Sequence, residues 1–410
     1  MRLRYLVCIL ALGAPAGAQP LPTLVEEALR NNREILAAQK RYEAARQRPS
    51  QAGSLPDPTV SVGYTANGGP WPVAGIGHEP TSNAGLTVSQ EMPFPGKRKL
   101  RGEIAAKEAD AEFEQYLAVR LNVVSRLKQA YHELHHAATG IAFVKRYQDV
   151  LRNILRISEA RYTVGRAAQQ DVFKAQMQFS IFETQLLRYE QERTSKEIEI
   201  CALLNRPTAG HIEVPEDMAP GELTVTLEEM LAHARTQAPA LAREQKVVER
   251  DELAANLARK SYYPDYTLSG GHFNQGGLPP MWQFRADFKL PAWLGKQRAE
   301  VNERVFTASQ ARHSYEAADV GIQASIREEY TLAATARKLI DLYQKSVIPE
   351  ARLALESSIA SYRTGALDFL SVFSNFMNVV DYELMSHEEV MQFHVALAKL
   401  EELTGMEIEQ

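Results

Sequence analysis

The chain has 410 residues, 24% of them charged, with a formal net charge of −5, so it lacks the basic surplus that marks a nucleic-acid surface. Its length allows two or three ordinary domains. Its two cysteines, Cys8 and Cys201, exclude a disulfide-stapled scaffold.

The first residues read as a secretory leader. Arg2 and Arg4 precede the apolar run Tyr5–Leu12, and Ala16-Gly17-Ala18 is a small-x-small cleavage site. That run is too short to span a bilayer, so cleavage of residues 1–18 before Gln19 is expected. Val7 stands where a lipoprotein signal wants a small residue before Cys8, so a lipid anchor is not expected. Cys201 is then left alone in an exported chain. No later stretch is apolar over the ~18 residues that suggest a membrane helix. An exported chain of this kind is either soluble or crosses a membrane as a β-barrel.

VEEAL, from Val25, lies in a helix of moderate length. LPDPTVSVGY, from Leu55, sets Val60, Val62 and Tyr64 opposite Thr59, Ser61 and Gly63, and LTVSQEM, from Leu86, alternates less cleanly. Residues 99–163 contain no proline and only two glycines, and Leu121, Val124, Leu127, Tyr131 and Leu134 recur at helical spacing. Such a helix would be roughly 100 Å long at 1.5 Å per residue. It carries His132-Glu133-Leu134-His135-His136, an H-E-x-x-H match in which two imidazoles one turn apart can grip Zn²⁺ beside a glutamate base. The longer zinc-protease pattern fails, since Thr139 stands where glycine is needed and Ala142 where the third histidine belongs. No catalytic residue, metal site or cofactor is expected, and His132, His135 and His136 read as solvated or inter-helix side chains.

A turn at Gly165 returns the chain through a helix over residues 170–204, and a Pro/Gly-rich stretch begins at Asn205. A further helix is expected over residues 226–260. YTLSGGH, from Tyr266, and the strictly alternating WQFRADFKL, from Trp282, follow as strands. Trp282, Phe284, Ala286, Phe288 and Leu290 fall on one face; Gln283, Arg285, Asp287 and Lys289 fall on the other. One oily and one polar face fits the lipid-out, water-in pattern of outer-membrane barrels, although hairpins on a soluble protein carry the same alternation. Tyr262, Tyr263, Tyr266, Trp282 and Trp293 are candidates for an interfacial girdle.

This plan is written twice. RYTVGRAAQQDVF, from Arg161, and SYRTGALDFLSVF, from Ser361, align at one offset through Tyr162/Tyr362, Gly165/Gly365, Val172/Val372 and Phe173/Phe373. MPFPGKRK, from Met92, echoes LPAWLGKQR, from Leu290, and VEEAL echoes LEEML, from Leu227. The repeats are set at residues 19–210 and 226–410, joined by a linker at 211–225. The fold class is therefore mainly α with a small membrane β-barrel contribution: tandem-duplicated long helical hairpins plus four strands per chain. Four strands cannot close a barrel whose minimum is about eight, so several copies would have to share one.

Over essentially its whole mature length the sequence resembles the TolC-type outer-membrane channels of bacterial efflux and secretion systems. The duplication, the strand pairs and the two Y-x-x-G…V tips, YTVGRAAQQDV and YRTGALDFLSV, carry the likeness. The wording around the second tip looks most like channels of heavy-metal efflux, with drug export also open. The resemblance implies a homotrimer, twelve strands above a twelve-helix tunnel, seated in the outer membrane with a long periplasmic portion. It implies a periplasmic adaptor, itself attached to an inner-membrane pump, meeting the tips at Val164, Gly165, Arg166, Thr364 and Gly365. It also implies a gate near the tips. Asp171 and Tyr362 match the linking positions, whereas the family's basic partner falls on Leu367 and its acidic ring on Ser371 and Ser374, with Asp368 as a substitute charge. The contrasting expectation, an exported periplasmic coiled-coil scaffold that never enters lipid, stays open at this level.

Overall fold

The computed structural model of the protein describes residues 20–67, 69, 71, 74–215 and 218–408. The expected leader lies outside them. In chain order the elements are α1 (Leu21–Asn31), α2 (Arg33–Ala45), α3 (Arg48–Gly53), β1 (Thr59–Thr65), β2 (Asn83–Met92), α4 (Lys97–Thr163) and α5 (Gln169–Leu203). Then come α6 (Leu227–Gln237), α7 (Pro239–Arg259), β3 (Asp265–Asn274), β4 (Met281–Lys289), α8 (Leu294–Leu342), α9 (Ile348–Thr364) and α10 (Phe369–Thr404). Long helix, glycine turn and returning helix thus recur after each pair of strands.

Three helices depart from the sequence expectation, each at an identifiable residue. The helix expected over 226–260 is broken between α6 and α7, because Pro239 holds Ala238 in an extended conformation with ψ 117°. In the first half Asn32 makes the equivalent break, its side-chain oxygen accepting from the Glu34 and Ile35 amides while its Nδ2 donates to the Leu203 carbonyl. The second very long helix is interrupted by a π turn at Tyr343–Val347 that separates α8 from α9. Pro349 explains it: the ring has no N–H and would strike the carbonyl of Lys345, four residues back. The first long helix has no proline and runs unbroken for 67 residues.

The chain divides into two compact units, each drawn from both halves. Of the described residues, one takes those up to Leu36, those within Val119–Ala234 and those from Gln323; the other takes those within Ala37–Ala118 and Arg235–Ile322. In the first, α4, α5, α9 and α10 close around Val144, Leu151, Ile154, Phe182, Val372 and Phe376. Phe376 is fully buried and meets Tyr147 and Phe182 edge-on at 5.9 and 6.2 Å, the geometry in which ring edges face π clouds.

The second unit holds one antiparallel sheet of order β1-β2-β3-β4, with β1 and β4 at its edges. Its register determines what the alternation achieves. Val62 pairs with Leu86, Leu86 with His272, and His272 with Trp282; Val60 pairs with Val88, Val88 with Gly270, and Gly270 with Phe284. Cross-strand partners share a face, so four short alternating patterns fuse into one apolar surface. The opposite face collects Thr87, Ser89, Ser269, Arg285 and Asp287, with the Ser89 and Ser269 hydroxyls 2.9 Å apart and an Arg285–Asp287 ion pair at 2.8 Å. No helix among the described residues is long and apolar enough to cross a membrane.

Candidate functional site: the helical tips and the exposed sheet face

Both hairpins turn in the same way. Gly165 and Gly365 have φ of 70° and 86°, where a side chain is strained and glycine is not. At each the glycine amide donates to a tyrosine carbonyl three residues back, Tyr162 at 2.9 Å and Tyr362 at 3.1 Å. The next amide reaches five residues back, Arg166 to Arg161 and Ala366 to Ser361. This paired closure satisfies the helix-end carbonyls and leaves the turn residues in solvent. Val164, Gly165, Arg166, Thr364 and Gly365 are all exposed, Val164 at 67%.

The two hairpins are linked beside the turns. Tyr362 is 3% exposed, and its hydroxyl lies 3.2 Å from Ser158 Oγ on α4, so the phenol's partner within the chain is Ser158 rather than Asp171. The reason is orientation: the ring is drawn inward against Phe369, 6.2 Å away, which aims the hydroxyl at α4. Asp171 instead stands in the first turn of α5, where a carboxylate complements the helix dipole. Arg161 supplies a cation that the sequence reading passed over. Its guanidinium sits 4.5 Å from the Tyr362 ring centroid, donates to the Tyr362 carbonyl, and reaches the Arg166 carbonyl at 3.4 Å. Leu367 packs on the apolar cluster. The one available signal was an arginine in the last helical turn, where cations suit the dipole.

Asp368 caps α10 by accepting from the Ser371 amide at 3.3 Å. Hydrogen bonds from Ser371 hold this exposed carboxyl below the usual carboxylate range. Ser371 is half-buried and Ser374 exposed on the following turns.

Higher in the same unit, Glu383 of α10 is buried between two guanidiniums. Arg352 of α9 donates to it from Nε at 2.7 Å and Nη2 at 2.5 Å, and Arg146 of α4 bonds its other oxygen. Burial and the Glu383 carboxylate both push the adjacent Tyr147 phenol upward. The clasp ties α4, α9 and α10 together, and nothing in sequence spacing announces it, because its three residues lie far apart in the chain.

The H-E-x-x-H residues have interior work. Glu133 pairs with Lys196 at 2.6 Å, and His132 stacks flat on His394 of α10 with centroids 4.4 Å apart. His136 meets Tyr189 edge-on. Close by, burial pushes His387 down to about 4, and the neighbouring His135 and His136 add to the shift.

On the sheet, the apolar face is uncovered. Val62 is 84% exposed, Phe284 83% and Trp282 67%. The five girdle aromatics fall at two levels. Tyr262, Tyr263, Tyr266 and Trp293 flank the helix-side end of the strands, and Trp282 lies at the loop end, where Trp71 is also exposed. Tyr263 stacks on Phe94 at 4.5 Å. The nine residues of β4 extend about 30 Å, or about 23 Å at a barrel's tilt, close to the height of a membrane barrel's apolar band.

An open-edged sheet with one apolar face stands in a chain of duplicated helical hairpins. Residues 24–206 match the model of the outer membrane efflux protein family. The outer membrane protein TolC of Vibrio cholerae is 24% identical over 387 residues, covering 88% of this chain and 85% of that one. A probable outer membrane lipoprotein, SilC of Salmonella typhimurium, is 22% identical over 85% of this chain and 77% of its own. Among solved structures, the outer membrane protein VceC of Vibrio cholerae superposes with a TM-score of 0.80 at 18% identity, over 95% of this chain and 97% of that one. The chain is thus similar to outer-membrane efflux proteins, in the family model over residues 24–206 and in fold over most of its length.

Proposed function

We propose that this chain is the outer-membrane channel of a tripartite export assembly, a passive and gated conduit that performs no chemistry. The observation that carries the reading is the exposed apolar sheet face with β1 and β4 as unpaired edges. Backbone groups on such edges must be paired in lipid, and the described residues of a single chain offer four strands. Three copies arranged cyclically close twelve strands into one barrel. A soluble scaffold would have no use for Val62, Phe284 and Trp282 held in the open.

The tips Val164, Gly165, Arg166, Thr364 and Gly365 are proposed as the contact for a periplasmic adaptor, which joins the channel to an inner-membrane pump. The gate is placed beside them. Ser158, Arg161 and Tyr362 hold the hairpins together, while Asp171, Asp368, Ser371 and Ser374 furnish polar groups at the constriction. Opening follows from an adaptor that binds the separated hairpins more tightly than the joined ones. Tyr262, Tyr263, Tyr266, Trp282 and Trp293 seat the barrel at the membrane surfaces.

The test is to express the full gene, isolate outer membranes and measure the detergent-extracted particle before and after boiling. A particle of about three chain masses that collapses on boiling is expected. A soluble monomer in the periplasm would refute the reading.

A further inference from the structure

The two ends of the sheet differ sharply in charge. At the helix-side end, segments 93–101, 257–263 and 289–298 together carry nine lysines and arginines and no acid. At the loop end, segments 66–82 and 275–281 carry no lysine or arginine at all. A charge run at the start of a helix is usually a solvated face, so the partners of these cations decide what the collar can do.

Some are engaged by the fold. Lys97 is buried and bonds Asp265 at 2.8 Å and the Tyr263 carbonyl at 3.1 Å, while Arg98 donates to the Gly53 carbonyl at 3.0 Å. The others are held loosely. Lys99 is 81% exposed and reaches Glu103 only at 3.7 Å, an exposed pair that contributes little. Arg259 donates to the neutral Asn256 side chain at 3.0 Å. Lys260 Nζ lies 5.8 Å from the centroid of the Phe94 ring.

Lys99, Arg259 and Lys260 line one cleft together with Gly96, Asn256 and Tyr263, and with one carboxylate, Glu103. The start of α4 borders it, which adds a positive helix end to the three side chains. Tyr263 is half exposed and stacked on Phe94, so its ring is fixed at the level where interfacial aromatics meet headgroups.

We propose that this cleft binds the phosphodiester headgroup of an anionic phospholipid from the membrane leaflet at the helix-side end of the sheet. The charge contrast between the two ends, the three loosely held cations and the stacked aromatic lining the cleft each follow from that role. Lipid is the source because Tyr263, which lines the cleft, lies two residues before β3, and that sheet exposes Leu268, Phe284 and Phe288 on one face, an apolar surface for acyl chains. The inference rests on the sheet being inserted in a membrane.

The experiment titrates the purified full-length protein in detergent with phosphatidylglycerol and, separately, with phosphatidylcholine, and counts retained lipids by native mass spectrometry. Phosphatidylglycerol is expected to be retained at least about tenfold better, with each neutralised cation costing roughly fivefold. The triple variant Lys99→Gln, Arg259→Gln, Lys260→Gln should approach the phosphatidylcholine level. The charge-keeping variant Lys99→Arg, Arg259→Lys, Lys260→Arg should retain the preference. If the triple variant fails to form the heat-labile oligomer, Lys260→Gln alone is read, and an unchanged preference overturns the proposal. Equal retention of the two lipids by the native protein overturns it as well, and displacement of phosphatidylglycerol by inorganic phosphate would make this a free-anion site instead. A protein that never enters outer membranes fails the channel reading first, an outcome seen before any lipid is counted.

Discussion

Replacing Glu383 with glutamine removes the charge at the centre of the α4–α9–α10 clasp while keeping its shape. The carboxylate is only 3% exposed, but the side chains of Arg146 and Arg352 are 52% and 58% exposed, so water continues to solvate both cations after the change. The cost therefore falls below the ~3–5 kcal/mol of breaking a fully buried pair. It exceeds the ~1 kcal/mol of a surface pair, because hydrogen bonds to a buried charged group contribute ~1.5–3 kcal/mol. About 2 kcal/mol is expected. Denaturant unfolding in detergent micelles of the native protein, E383Q, R352Q and the double variant would measure both the loss and the coupling. The double variant should be less destabilised than the sum of the singles by about 1 kcal/mol or more. Refutation would be an E383Q protein within ~0.5 kcal/mol of native, together with strict additivity.

Gly165→Ala and Gly365→Ala each force a Cβ into positive φ and should destabilise their hairpin by about 1–2 kcal/mol, seen as faster local hydrogen exchange at the tip; unchanged exchange would argue against the turn geometry. His387 should make the protein acid-sensitive. The unfolded imidazole titrates near 6.5 and the folded one at about 4, facing His135, His136, Arg146 and Glu383, so its contribution is full above 6.5 and is lost as pH falls towards 4. The loss is at most about 3 kcal/mol, and His387→Gln should flatten that limb of the stability profile. Phe284→Lys, on the exposed face, should lower recovery from outer membranes by about 2–4 kcal/mol of insertion free energy at mid-bilayer, whereas Gln283→Lys, on the opposite face, should be tolerated.

Periodicity made the strands and long helices legible because it depends only on neighbours: the alternation from Trp282 and the proline-free run to Thr163 both correspond to single elements. The breaks at Ala238 and Tyr343–Val347 were also written in the chain, as Pro239 and Pro349, and a stricter reading of proline would have placed them. Tertiary pairing was not legible. Ser158 is an ordinary helical serine until Tyr362 is folded against it, and Glu383 finds Arg146 and Arg352 only when three helices meet. His132-Glu133-Leu134-His135-His136 shows the converse, a motif whose local spacing suits a metal while its side chains are committed to neighbouring helices.

The shared barrel is the central claim, and its edges offer the most direct measurement. Cysteine at Ser61 in β1 would be combined in turn with cysteine at Gln283, Arg285, Asp287 and Lys289 in β4, all on the polar face, and outer membranes would be oxidised and boiled in denaturant. If neighbouring copies join β1 to β4, at least one combination should give covalent dimers and trimers that reduction returns to monomer, since bridged cysteines need Cα atoms within about 7 Å. Monomers alone at every register would mean that the sheet edges do not meet, and the channel account would fail.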